Sequence, residues 1–320
     1  MKRKMTLFAV LCALFVLIAA SREVIECSRY GLRLCIELIL PSLFPFFLVS
    51  VLMNRLGFPA WLGRHLAPLA SRLFRVSGTG VTALFVGLTG GYPLGAACIA
   101  ELIKDREIRV QEGEHLLAFC NNSGPAFLVG ALGAGVFGSA RIGLQLYGVH
   151  VLAALLTGIL LRGKEPYHTA SVEGPPPLDI SLTRLLPEAV RQSVTALLNV
   201  CGFVVCFSIF TGLLEAGGLV DGISRFVCTR FPLDPQALRA LLIGFWELGS
   251  GVGALRGLQP TPLHLAIASA LVGWGGLSVH FQTLSVLGDL EMNSALHTAG
   301  RVLSAVFSFL LMLALSYIKS

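Results

Sequence analysis

Polar, glycine-rich interruptions lie deep inside long apolar stretches of this chain, and they come in two pairs. The first pair is LTGGYPLGA (Leu88–Ala96) and CNNSGPAF (Cys120–Phe127). The second is FWELGSGVG (Phe245–Gly253) and GWGGLSVHF (Gly273–Phe281), in the same order in the other half. Backbone that leaves the helix inside hydrocarbon has no water to satisfy it, so it is tolerated only where protein or a wet cavity covers it. Breaks of this kind therefore predict a polytopic membrane protein that builds an internal site from interrupted helices.

Composition supports the membrane reading. Of 320 residues, 55% are hydrophobic and 13% charged, against about a quarter charged in a typical soluble domain. Mean hydropathy is +0.78. Apolar runs near the ~20 residues needed to cross a ~30 Å core recur throughout. The net charge of +6 would suggest nucleic acid in a soluble protein. Here the basic residues sit in short loops without interleaved aromatics, as with Arg55, Arg64, Arg72 and Arg75. That follows the positive-inside tendency and argues against a nucleic-acid partner. The eight cysteines form no CxxC pair, so neither a metal site nor a disulfide framework is expected.

Along the chain, Thr6–Ala20 follows a basic start and fits either a signal peptide cleaved after Ala20 or Ser21 or, the favoured reading, a retained anchor helix. Leu34–Met53 carries Pro41 and Pro45, which should kink it. Pro59–Arg75 reads as an interfacial amphipathic segment. Val81–Ile103 and Leu116–Phe137 are interrupted apolar segments, and Ile142–Leu161 is a plain helix. Arg162–Arg184 is a polar linker with three consecutive prolines. The second half holds Leu186–Leu214, a connector at Gly217–Phe231, broken segments at Leu238–Leu255 and Leu263–Leu287, and a closing helix at Leu296–Ile318. The expected domains are an anchor and connector (1–33), a first repeat (34–162), the linker (163–185) and a second repeat (186–320). Each half should make three full crossings and one re-entrant hairpin, which inverts the second repeat and places the N-terminus in the cytoplasm. Arg22, Arg29, Arg33, Arg225 and Arg230 would then lie outside, against the positive-inside tendency.

Candidate binding residues cluster at the breaks. Asn121, Asn122 and Ser123 offer donors and acceptors, though such residues also serve as interhelical glue. Thr89 and Tyr92 flank the first break, where Tyr92 could equally pack a hairpin tip. Glu247 is the only charge between Leu241 and Leu255. A carboxylate at membrane depth costs roughly 2.5–3.5 kcal/mol on insertion scales, so it should face a cavity, a cation or a donor. A proton- or sodium-coupled role fits, and a membrane-edge glutamate is the bland alternative. Ser250 lies three residues on, where Gly249 and Gly251 argue against helix. His280 and Gln282 follow the last break. No HExxH, Walker loop or GxSxG is present, and no cofactor is implied.

PSLFPFFLVS (Pro41–Ser50), LTGGYPLGA, LLAFCNNSGPAFLVGALG (Leu116–Gly133), NVCGFVVCFSIFTGLL (Asn199–Leu214) and GFWELGSGVGAL (Gly244–Leu255) resemble the YlbJ family of sporulation integral membrane proteins. That family belongs to the nucleoside-recognition, or Gate-domain, proteins. The resemblance implies an all-α polytopic fold with re-entrant hairpins and broken helices, similar to parts of concentrative nucleoside transporters. It also implies a role in endospore formation, especially the cortex, in the mother-cell or outer forespore membrane. The first tip, Thr89–Pro93, lacks a carboxylate or amide, which departs from the nucleoside transporters and leaves the substrate open. The expected function is secondary transport of a small polar or anionic metabolite, coupled to Na+ or H+, without enzymatic activity. The expected partners are that solute and the lipid bilayer, and a homo-oligomer is compatible. The alternative is a non-transporting scaffold for spore envelope or cortex assembly.

Overall fold

The computed structural model describes residues 2–163, 167, 181–231 and 234–319, and these form helices with no strand among them. In chain order they are α1 (Lys2–Ala19), α2 (Ser21–Arg55), α3 (Phe58–Leu73), α4 (Gly78–Thr89) and α5 (Leu94–Lys104). Then follow α6 (Val110–Cys120), α7 (Ala126–Val136), α8 (Ala140–Leu160), α9 (Leu182–Ala216) and α10 (Leu219–Cys228). The chain closes with α11 (Pro235–Trp246), α12 (Leu248–Gly253), α13 (Pro262–Trp274), α14 (Gly276–Leu287) and α15 (Ser294–Lys319).

Five of these stretches are long and apolar enough to cross a bilayer: Ser21–Arg55, Ala140–Leu160, Leu182–Ala216, Pro262–Leu287 and Ser294–Ile318. Their outward faces are apolar, with Ile36, Phe46, Leu160, Leu198 and Leu310 exposed. Asparagines, histidines and serines are buried instead. A polar interior wrapped in exposed leucine and phenylalanine is stable when lipid, not water, is the solvent. The pair α13–α14 is innermost, with 72% of its most apolar window buried against 28% for α9.

Several boundaries differ from the sequence reading. The stretch before Leu34 is helical, so α2 runs unbroken for 35 residues, about 52 Å at 1.5 Å per residue. Pro41 and Pro45 follow a π-helical turn at Cys35–Ile39. Proline has no N–H to offer the preceding turn, and a widened turn accommodates that loss within a continuous helix. The connector at 217–231 contains α10. Ser250 lies in a helix after all: α12 spans Gly249 and Gly251, capped by the Glu247 side chain. The proline-rich centre of the linker lies outside the described residues.

Two helical hairpins carry the interruptions. A Cβ built on Gly87 would lie 3.4 Å from the Cα of Gly95. Eight residues of straight helix would separate them by about 12 Å, so α4 and α5 fold back on each other. The same approach joins Gly244 of α11 to Gly251 of α12, 3.3 Å by the same measure. Neither pair has room for a side chain. Gly87 also faces the carbonyl of Cys120, where α6 ends, and a methyl there would overlap it. Buried Glu112 of α6 accepts the Ser77 N–H at 2.7 Å, and Ser77 in turn caps α4.

Gly87→Ala should therefore lower the melting temperature of the purified protein in detergent, because the first hairpin can no longer seat against α6. Gly148→Ala, on α8 with open space around it, should leave melting unchanged or raise it. Equal melting for both variants would contradict the packing described.

Candidate functional site

The four interruptions meet around one cavity of about 40 Å³. Gly90, Gly91 and Tyr92 line it from the first hairpin tip, and Ser123 and Gly124 from the break between α6 and α7. Glu247, Leu248 and Gly249 come from the second hairpin tip, and Ser278 and Gln282 from α14. Close backbone contacts pin the elements together. A Cβ on Gly91 would be 2.8 Å from the Gly124 nitrogen, and one on Gly276 2.9 Å from the Leu248 nitrogen. Each hairpin tip thus rests on a helix break of its own half. A cavity this size holds one to a few waters or a dehydrated ion, so it has no space for a nucleoside.

Of the residues singled out from sequence, Tyr92, Ser123, Glu247 and Gln282 line this cavity. Glu247 is 2% exposed and its carboxylate accepts the Gly249 N–H at 2.8 Å and the Ser250 N–H at 2.5 Å. Those are two of the donors that the start of α12 leaves without helical partners. The charge is thus held at depth by the hairpin it caps while still facing the cavity. The hydroxyls of Tyr92 and Ser123 lie beside each other, and the Ser278 hydroxyl and the Gln282 carbonyl oxygen are buried without hydrogen-bond partners. Unmet donors and acceptors around one cavity are what a polar guest would satisfy.

The asparagines act one layer behind. Asn121 Nδ2 donates to Thr283 Oγ1 at 2.7 Å, joining the two halves. Asn122 Nδ2 donates to the Phe119 carbonyl at 2.7 Å, covering an acceptor that the end of α6 leaves open. Ser123 N–H donates to His150 Nε2 on α8 at 3.1 Å. Thr89 turns its hydroxyl to the Phe85 carbonyl of its own helix and does not line the cavity. His280 pairs through Nδ1 with the Gly276 carbonyl and packs between Trp274 and His297, also away from the cavity wall.

Ser250 belongs to a second cavity, about 380 Å³, with Glu26, Tyr30, Ser208, Thr211, Glu215 and Arg239 among its lining. Glu26 and Arg239 carry exposed side chains, so this space is a vestibule open to the surroundings. Ser250 Oγ lies 3.4 Å from Ser208 Oγ. Its backbone N–H holds Glu247, so the second hairpin tip lies between the vestibule and the smaller cavity.

One central residue has no counterpart in the sequence reading. Arg301 of α15 is 0% exposed, and its Nη2 donates to Asn122 Oδ1 at 3.3 Å. It is the only Asp, Glu, Lys or Arg between Glu291 and Lys319, the same signal that marks Glu247. His297, one turn earlier, meets the Leu117 carbonyl at 3.0 Å through Nδ1.

Fold and site together define a polytopic all-helical membrane protein with a buried polar centre between its two halves. The chain is 32% identical over 306 residues to the sporulation integral membrane protein YlbJ of Bacillus subtilis (strain 168), an alignment covering 88% of this chain and 75% of that protein. It belongs to the YlbJ family of sporulation integral membrane proteins. No protein-family model and no solved structure matches it.

This arrangement has a direct consequence for chemical access. In a background with the native cysteines replaced, Ser250→Cys should react with a membrane-impermeant thiol reagent, and Ser278→Cys should stay protected in the same folded sample. Equal labelling of both positions would contradict the burial of Ser278 behind the second hairpin.

Proposed function

We propose that this chain is a secondary transporter of a small polar or anionic metabolite used in sporulation. The observation that carries the reading is the narrow cavity at the meeting point of two hairpin tips and two helix breaks, lined by unsatisfied polar groups and one carboxylate. Paired broken helices around a central site are a recurring construction of transporters. The halves 34–162 and 186–320 are read as an inverted repeat. In support, both hairpins close through a glycine pair, Gly87 with Gly95 and Gly244 with Gly251.

In this proposal one hairpin-containing unit moves against the other half and opens the cavity to alternate sides. The vestibule beside Ser250 is the entry that such a motion would extend. Glu247 is the coupling group: a proton or Na+ taken up there competes with the two backbone N–H groups, loosens the cap of α12 and frees the hairpin to move. The YlbJ relative's name supports the sporulation context, and the mother-cell or outer forespore membrane is the proposed location.

Protein reconstituted in vesicles should accumulate its solute from a panel of amino acids, small carboxylates, phosphates and nucleosides when a proton or Na+ gradient is imposed. Glu247→Gln should reduce gradient-driven accumulation to background at unchanged protein abundance. Full accumulation by that variant would contradict the coupling role.

A further inference from the structure

Arg301 is a positive charge in the interior that no carboxylate among the described residues pairs with. Among the described residues the ion pairs are Arg22–Glu26, Arg55–Glu188, Arg239–Glu215 and His264–Asp234. Glu247 is occupied by the N–H groups of α12. Among the described residues Arg301 donates one hydrogen bond, from Nη2 to a neutral amide oxygen, while Nε and Nη1 are buried with no partner. Breaking a buried ion pair by removing one partner costs about 3–5 kcal/mol, because a charge is left uncompensated. A guanidinium also presents its N–H groups as a planar fork that matches a carboxylate or a halide.

The surroundings add donors. His150 Nε2 accepts the Ser123 N–H, which assigns the ring proton to Nδ1, and that N–H is buried without a partner. The Tyr92 hydroxyl, beside the Ser123 side chain, lies within electrostatic range of both Arg301 and Glu247. Arg301 itself reaches from α15 to the break after α6, directly behind the cavity wall formed by Ser123 and Gly124.

We infer that the free edge of the Arg301 guanidinium binds a small anion, either an inorganic halide or the carboxylate of the transported solute. The anion supplies the counter-charge that the chain does not, and Asn122 positions the guanidinium to receive it. This deepens the transport reading by assigning a charge to the bound species, yet its test needs no flux.

The test is the melting temperature of the full-length protein in detergent at constant ionic strength, with a bulky sulfonate, 2-(N-morpholino)ethanesulfonate, replaced stepwise by chloride or by acetate. Binding to the folded state alone must stabilise it saturably. The expected result is a saturable rise of several degrees. Chloride alone producing it marks a resident halide, whereas acetate producing it marks the carboxylate of a solute. Arg301→Gln should lose the rise. Should that variant fail to fold, Asn122→Asp decides: a carboxylate at position 122 neutralises Arg301 from within, so melting should no longer depend on the anion. No anion dependence in the wild type, or undiminished dependence in Asn122→Asp, would overturn the inference. Either failure leaves the Glu247 uptake test standing on its own.

Discussion

The structure depends on satisfying backbone groups where helices stop inside a lipid-facing bundle. An unpaired buried donor or acceptor costs about 1–3 kcal/mol, and each interruption exposes several. Side chains take over the work. The Asn122 amide covers the Phe119 carbonyl, His297 meets the Leu117 carbonyl, His150 receives the Ser123 N–H, and Glu247 receives two N–H groups at the start of α12. These residues come from five separate parts of the chain: the α6–α7 break, α8, the α11–α12 hairpin, α15 and, through the Asn121–Thr283 bond, α14. The α6–α7 region thus draws on the second half through His297 and Thr283, while Glu247 caps α12 within its own hairpin.

Glycine makes that assembly close enough to matter. The hairpins cross at glycine pairs, and Gly300 of α15 brings its backbone against Ala118 of α6, where a built Cβ would sit 2.9 Å from the Ala118 Cα. That approach carries Arg301, the next residue, into the centre. The cavity is what remains when four backbones meet this tightly without interdigitating side chains. Its polar lining follows from the same residues that make the breaks. Glu247 shows the double use most clearly, since one carboxylate caps a helix and faces the cavity.

Much of this was legible from residue order. Glycine clusters inside apolar runs, with proline at the first two and asparagines at the second, located all four breaks, and an isolated glutamate in FWELGSG located the charged tip. The resemblance to the YlbJ family rested on those same segments. Other features were hidden for physical reasons. Ser250 sits in a helix because a two-pronged cap outweighs the low helix propensity of Gly249 and Gly251. Thr89 was named from its position beside a break, but a threonine hydroxyl reaches its own preceding carbonyl more easily than a ligand. His280 was separated from the cavity by the packing of Trp274 and His297, which no local pattern encodes. Arg301 was overlooked because its helix carries no glycine–proline break at that point. The isolation test that marks Glu247 applies to it equally.

The account's central claim is that the breaks of the two halves meet in one interior, and the shortest bond across that junction is Asn121 Nδ2 to Thr283 Oγ1 at 2.7 Å. The most direct measurement places cysteines at both positions in a background with the native cysteines replaced and adds a protease site within residues 168–180. After mild oxidation in membranes and cleavage, the account predicts one full-length band on a non-reducing gel that separates into two fragments on reduction. Two fragments without reduction, under conditions where a control pair within one hairpin crosslinks, would contradict it.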